Sequence, residues 1–128
     1  MNYRIYFKKL ESFSLIGING KNTGATQIGV TENGTQKFHP MFVIMVCSSG
    51  NTITIVPTVS IGTNAASYNN LVGATSLVAM TAAGNMAQPS LVGTYANIAA
   101  NTGIFINVSI GATATTCLID AHVFGFYN

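Results

Sequence analysis

The chain has 128 residues, of which 48% are hydrophobic and only 6% carry a formal charge, against about 25% in an ordinary soluble domain. That length fits one domain of about 100–150 residues, and so apolar a composition excludes intrinsic disorder, which needs a chain too polar to build a core. Five Lys and Arg with a net charge of +2 are too few and too scattered to track phosphates, which excludes a nucleic-acid binder.

The charges are unevenly placed. Arg4, Lys8, Lys9, Lys21 and Lys37, together with Glu11 and Glu32, all precede Phe38, and Asp120 is the one formally charged residue beyond it. A surface with so little charge does not keep copies apart in solution, so much of it is expected to be buried against copies of the same chain or against other partners.

In chain order, Tyr3, Ile5 and Phe7 alternate with Arg4, Tyr6 and Lys8, the period of a half-exposed strand. Interleaved in this way, they lack the separate charged and apolar regions of a secretory signal, so the protein is expected to be made and kept without export. Residues 13–18 form a second predicted strand, closed by Asn19-Gly20, and Ile28 with Val30 marks a third. Asn33-Gly34 reads as the next tight turn, since the pair tolerates the positive φ that such turns need. It leads into residues 38–47, where Pro40 lacks a ladder N–H, so the regular strand is expected to begin at Met41. The run from Met41 to Cys47 is the longest apolar stretch. It is far short of the ~20 residues that cross a bilayer, and it reads as a strand buried on both faces.

Residues 48–51 read as a hairpin loop into a strand over 52–62, with Ile53, Ile55, Val59 and Ile61 on one face. The uncharged stretch over 63–102 is too long for one structureless loop in a compact domain. It is expected to hold short strands around 71–80 and 89–98, with a helical turn near 65–68. Ile104, Ile106, Val108 and Ile110 alternate with Phe105, Asn107 and Ser109, and residues 117–127 form a long closing strand. About eight short strands with polar turns predict an all-β, single-domain β-sandwich, jelly-roll-like because the long middle connection favours Greek-key linkage.

Chemistry has little to work with. In Asp120-Ala121-His122 the two polar residues share a strand face, where a carboxylate can orient an imidazole. No nucleophile motif accompanies them, so a polar pair at a buried or interfacial position is the better reading, and the chain is expected not to be an enzyme. His39, His122, Cys47 and Cys117 have the atoms zinc prefers, but their spacing does not support a site, so no metal or other cofactor is expected. The two cysteines read as buried thiols. Tyr3, Tyr6, Tyr68, Tyr95 and Tyr127 suit core or interface roles better than a sugar platform, since the chain has no Trp.

Several phrases carry a resemblance. Phe38-His39-Pro40, then TVSIGTNAASYNN at 58–70, ANTGIFINVSIGATATT at 100–116 and HVFGFY at 122–127 together resemble small virion proteins of tailed bacteriophages, including head decoration and head-fibre proteins that form jelly-roll trimers. The resemblance spans residues 24–128 and implies homotrimers on the capsid surface, made in the host cytoplasm, with the major capsid protein or other virion proteins as partners and with neither nucleic acid nor membrane. Residues 1–23 depart from it. They are expected to form an arm or strand that anchors to the shell or swaps between subunits, with Arg4, Lys8 and Lys9 as anchoring residues. The trimer core is expected along residues 41–47 and 117–127, with Met41, Val43, Met45, His122, Phe124 and Phe126 at the interface. A formal charge on a three-fold axis would meet two copies of itself, and charge depletion beyond Phe38 suits such packing. The rival expectation is a trimeric carbohydrate- or receptor-binding tip domain of a phage fibre.

Overall fold

A computed structural model describes residues 9–93 and 97–128. These form β1 (Lys9–Asn19), β2 (Gly24–Val30), β3 (Phe38–Asn51), β4 (Thr58–Gly62), β5 (Val72–Ser76), β6 (Met86–Ala87), β7 (Gly103–Ile110) and β8 (Thr116–Tyr127), with no helix among the described residues. One sheet has the order β1-β8-β3-β6 and the other β2-β7-β4-β5, and all neighbours are antiparallel. Strands alternating between two four-stranded sheets in this order are the two Greek keys of a jelly roll. The strand expected before Lys9, with Arg4, Lys8, Tyr3 and Tyr6, lies outside the described residues, as does Tyr95.

Alternation decides which side chains fill the space between the sheets. On β8, Cys117, Ile119, Ala121, Val123 and Tyr127 point inward and are at most 1% exposed, while Leu118, Asp120, His122, Phe124 and Phe126 stand on the other face. From the opposing sheet Val59, Ile61, Val72, Ile104, Ile106 and Val108 meet them. Leu71, Leu77, Met80 and Ile98, all buried, come from the long middle connection. It therefore contributes to the core without being mostly strand.

The strands depart from expectation at several places, and β3 runs on through Asn51, where a hairpin loop was expected. β3 starts at Phe38 and keeps Pro40, because a register shift between Pro40 and Phe42 accommodates a residue with no N–H to give. The strand expected over 52–62 forms only as β4. Thr52 has a φ of 54°, and Ile55 is 56% exposed with one isolated bridge to Thr113. The strand expected over 89–98 reduces to an isolated bridge between Ile98 and Phe38, whereas the short β6 lies where none was expected. Asn33-Gly34 closes no hairpin, since β2 and β3 belong to opposite sheets and the segment between them bends across.

β1 runs along β8 from the pair Lys9 with Tyr127 to the pair Asn19 with Leu118. A bulge between Leu15 and Ile18 turns on Gly17, whose φ of 73° suits a residue without a Cβ. At the far end of β8 space is the constraint. A Cβ on Gly125 would collide with the His39 carbonyl oxygen and stand 2.5 Å from Phe38 Cζ. Gly125→Ala is expected to lower the unfolding free energy by about 3 kcal/mol, the upper range for overpacking. In urea unfolding, a loss below about 1 kcal/mol would show that β3 and β8 can part without strain.

Cys47 and Cys117 are both fully buried and free. Burial pushes both thiols up, and the neighbouring Cys47 adds to the shift of Cys117. Burial likewise raises the Tyr127 phenol, against a lowering effect of the Glu32 backbone N–H that donates to its oxygen at 3.0 Å. All three favour the neutral form in the folded state. Their contribution to stability is full below the ordinary thiol range and is lost as pH rises above it. The urea midpoint is expected to fall between neutral and strongly alkaline buffer, and a thiol reagent is expected to label neither cysteine until the chain unfolds. Rapid labelling of the native protein would contradict this.

Candidate interaction face

The outward side of the β1-β8-β3-β6 sheet is built from cross-strand rows. Leu10, Phe126 and His39 lie side by side, then Ser12, Phe124 and Phe42, then Ser14, His122 and Ile44. Asp120 pairs with Val46, which pairs in turn with Met86. Phe42 and Phe124 stack at 4.8 Å between ring centroids with planes 20° apart, and His39 stacks on Phe126 at 5.0 Å and 11°. Around these half-buried rings stand Leu10 at 72% exposure, Ile16 at 73%, Met86 at 57% and Met41 at 46%. Leu10, Glu11, Ser12, Met41, Phe42, Phe124 and Gly125 line a shallow groove of about 390 Å³.

The polar groups on this face are engaged locally. His122 Nδ1 lies 2.8 Å from Ser14 Oγ. Asp120 accepts the Gly17 N–H at 2.8 Å, so its carboxylate fixes the β1 bulge instead of orienting the imidazole two residues on. The zinc-type residues are not brought together. His39 and His122 stand on the outer face of the sheet while Cys47 and Cys117 lie under it in the core, and no three His, Cys, Asp or Glu side chains converge among the described residues.

Of the residues expected at an interface, Met41, His122, Phe124 and Phe126 are on this face. Val43 and Met45 are not, being 0% exposed between the sheets. The irregularity at Pro40 shifts the alternation of β3 by one residue, so Phe42, Ile44 and Val46 occupy the outward places. Leu10, Ile16 and Met86 were missed by sequence reasoning, because strand pairing, and not spacing along the chain, brings them here. Of the expected anchoring residues, Lys9 is described. It pairs with Glu32 and lies 5.8 Å from the centre of the Tyr127 ring, and its hydrogen bond to Glu32 holds its pKa above the ordinary value.

The opposite sheet presents a different outer surface. Phe105 there is flanked by its cross-strand partner Gln27, with Asn107 two residues on, and is covered by Tyr68 at 4.7 Å between ring centroids. Tyr68 belongs to a turn knit together by asparagines. Asn64 Oδ1 accepts the Asn69 N–H at 2.9 Å and Asn70 Oδ1 that of Thr63 at 2.8 Å. One face of the sandwich is therefore apolar and the other rich in neutral amides.

Compared with protein-family models and with curated proteins, the sequence matches none. Solved structures share its architecture over nearly the whole chain. A chain of the capsid asymmetric unit of cyanophage Pam1 superposes with a TM-score of 0.57 at 15% identity, covering 98% of this chain and 90% of that one. For a chain of the acid-stable capsid of Helicobacter pylori bacteriophage KHP30 the TM-score is 0.61 at 14% identity, with 94% and 88% covered. For one of the Ralstonia phage GP4 capsid it is 0.59 at 14%, with 94% and 83% covered. At such identities the likeness is one of fold, and this jelly-roll sandwich is an architecture that chains of three phage capsids also adopt.

Proposed function

We propose that this chain is a structural virion protein, an auxiliary or decoration protein of head-fibre type that sits as a homotrimer on the surface of a phage capsid. The observation that carries the reading is the apolar outer face of the β1-β8-β3-β6 sheet, on which Leu10, Ile16, Met41, Phe42, Phe124 and Phe126 stand beside no Lys or Arg of β3 or β8. Its long strands have 11, 14 and 12 residues. At about 3.3 Å per residue and about 4.8 Å between strands they span roughly 600 Å² before side-chain relief is counted. That is of the order of the ~800 Å² each partner gives to a stable interface. The fold likeness to capsid chains, complete over almost the entire length, supports the same setting. The surface would be buried against other copies and the major capsid protein, with the chain made in the host cytoplasm.

Light scattering of the purified protein, followed by co-sedimentation with capsids that lack it, tests the proposal. A trimer mass and saturable binding are expected. A monomer at micromolar concentration that stays in the supernatant would overturn it. A second reading, a glycan-binding tip, is favoured by Tyr68 and Phe105 standing among Gln27 and Asn107, since rings and neutral amides suit uncharged sugars. Saturable binding on a glycan array, lost in Tyr68→Ala, is the result that would promote it.

A further inference from the structure

The segment between β2 and β3 holds Asn33-Gly34, whose sequence suggests a tight turn but which makes none. Residues 32–37 are all exposed, and 33–35 merely bend. Glycine is not required at position 34 for its backbone, since the positive-φ glycines are Gly17, Gly24 and Gly84. Space does not require it either, because an added Cβ would meet nothing within 4 Å. Among the described residues no hydrogen bond holds the Gly34 N–H or the Asn33 side chain. What the pair retains is reactivity: an asparagine amide carbon beside an amide nitrogen that no Cβ shields.

The other Asn-Gly pair in the chain is an internal contrast. Gly20 is buried, its N–H donates to the Cys117 carbonyl at 2.8 Å, and Asn19 Oδ1 is occupied by the Lys21 N–H at 3.1 Å. A Cβ on Gly20 would stand 3.0 Å from Cys117 Sγ. Here glycine answers to packing, and both reacting groups are engaged by other partners.

We infer that Asn33 is a site of spontaneous deamidation in the folded protein, while Asn19 is protected. The Gly34 amide nitrogen loses its proton to base and bonds to Asn33 Cγ, the Cγ–Nδ2 bond breaks, and the protonated base returns that proton to Nδ2, which leaves as ammonia. Water then opens the cyclic imide at either carbonyl, giving aspartate or isoaspartate, with no oxidant or reductant. The product lowers the formal net charge from +2 by one. Its new carboxylate follows Glu32, the partner of Lys9, and so adds a negative charge in sequence next to that ion pair.

Full-length protein incubated in mildly alkaline buffer and digested with trypsin separates the two sites, because Asn19 falls in the peptide 10–21 and Asn33 in 22–37. Loss of the native 22–37 peptide to an aspartate and isoaspartate pair is expected, with 10–21 unchanged and the intact protein moving by one charge on ion exchange. Gly34→Ala, which the open space tolerates, is expected to stop the conversion while leaving the circular dichroism spectrum unaltered. Equal conversion of both peptides would mean that the reaction occurs in the unfolded chain. That result, an unchanged 22–37 peptide, or conversion as fast in Gly34→Ala would each overturn the inference.

Discussion

Phe38→Ala is expected to lower the unfolding free energy by about 4 kcal/mol, as large-to-small changes of buried aromatics do. Phe38 is 0% exposed. Its ring meets Phe13 of β1 edge-on at 5.0 Å and 82°, and Tyr127 of β8 at 5.4 Å and 58°, contacts that add to its burial. Its backbone exchanges hydrogen bonds with Ile98, at 2.9 Å in one direction and 2.6 Å in the other. One side chain thus ties the first strand, the last strand and the end of the long middle connection. Truncation leaves a cavity whose walls are strands fixed by their own ladders, so they cannot collapse to fill it. Domains of this kind have only about 5–15 kcal/mol in hand, so much of the native state's margin goes. In urea the midpoint is expected to drop with the slope unchanged. A loss below about 1.5 kcal/mol would mean that the aromatic cluster re-packs, and that Phe13 and Tyr127 carry the joint without Phe38.

The same cluster marks how far the sequence could be read. β8 was legible because nothing interrupts its alternation, and β7 as far as Val108: Ile104, Ile106 and Val108 keep one parity, as do Phe124 and Phe126, whereas Ile110, expected with the first three, is 57% exposed beyond the register shift opposite Thr58 and Val59. β3 was legible as a strand but not in its facing, since the shift at Pro40 depends on how β8 pairs with it, which no local pattern records. That single residue of slip exchanges Val43 and Met45 for Phe42, Ile44 and Val46 on the outer surface. The stretch over 52–56 alternates as well as β4 does, yet it leaves the sheet. Propensity there is overridden by Thr52 in a left-handed conformation and by Pro57, which is buried and accepts the Leu77 N–H at 2.9 Å. The apolar face itself was half visible. Its β8 members could be named from spacing, whereas Leu10, Ser14 and Ile16 join it only through the register of β1 with β8, a contact across more than a hundred residues of chain.

Phe124→Glu is expected to weaken both self-association and capsid attachment by at least about thirtyfold, while leaving the fold intact. Phe124 stands outward in the middle row, between Ser12 and Phe42, so in the isolated chain a glutamate there keeps its water. The loss to folding is the stack on Phe42, about 1 kcal/mol. In an assembly that buries this row, the carboxylate loses its water and meets no Lys or Arg of β3 or β8, while the neighbouring imidazoles are already engaged, His122 with Ser14 Oγ at 2.8 Å and His39 in its stack on Phe126. An unpaired charge at the centre of an interface costs more than about 2 kcal/mol, and every 1.4 kcal/mol is about tenfold in affinity. Gln27→Glu, on the exposed position of β2 that pairs with Phe105, puts the same charge on the opposite face and is expected to leave both measurements near wild type. A monomer of native circular dichroism from Phe124→Glu, beside a normal assembly from Gln27→Glu, is the signature of burial on one side of the sandwich. Equal behaviour of the two variants would mean that the apolar face stays in solvent, and that the assembly, if there is one, is held together elsewhere.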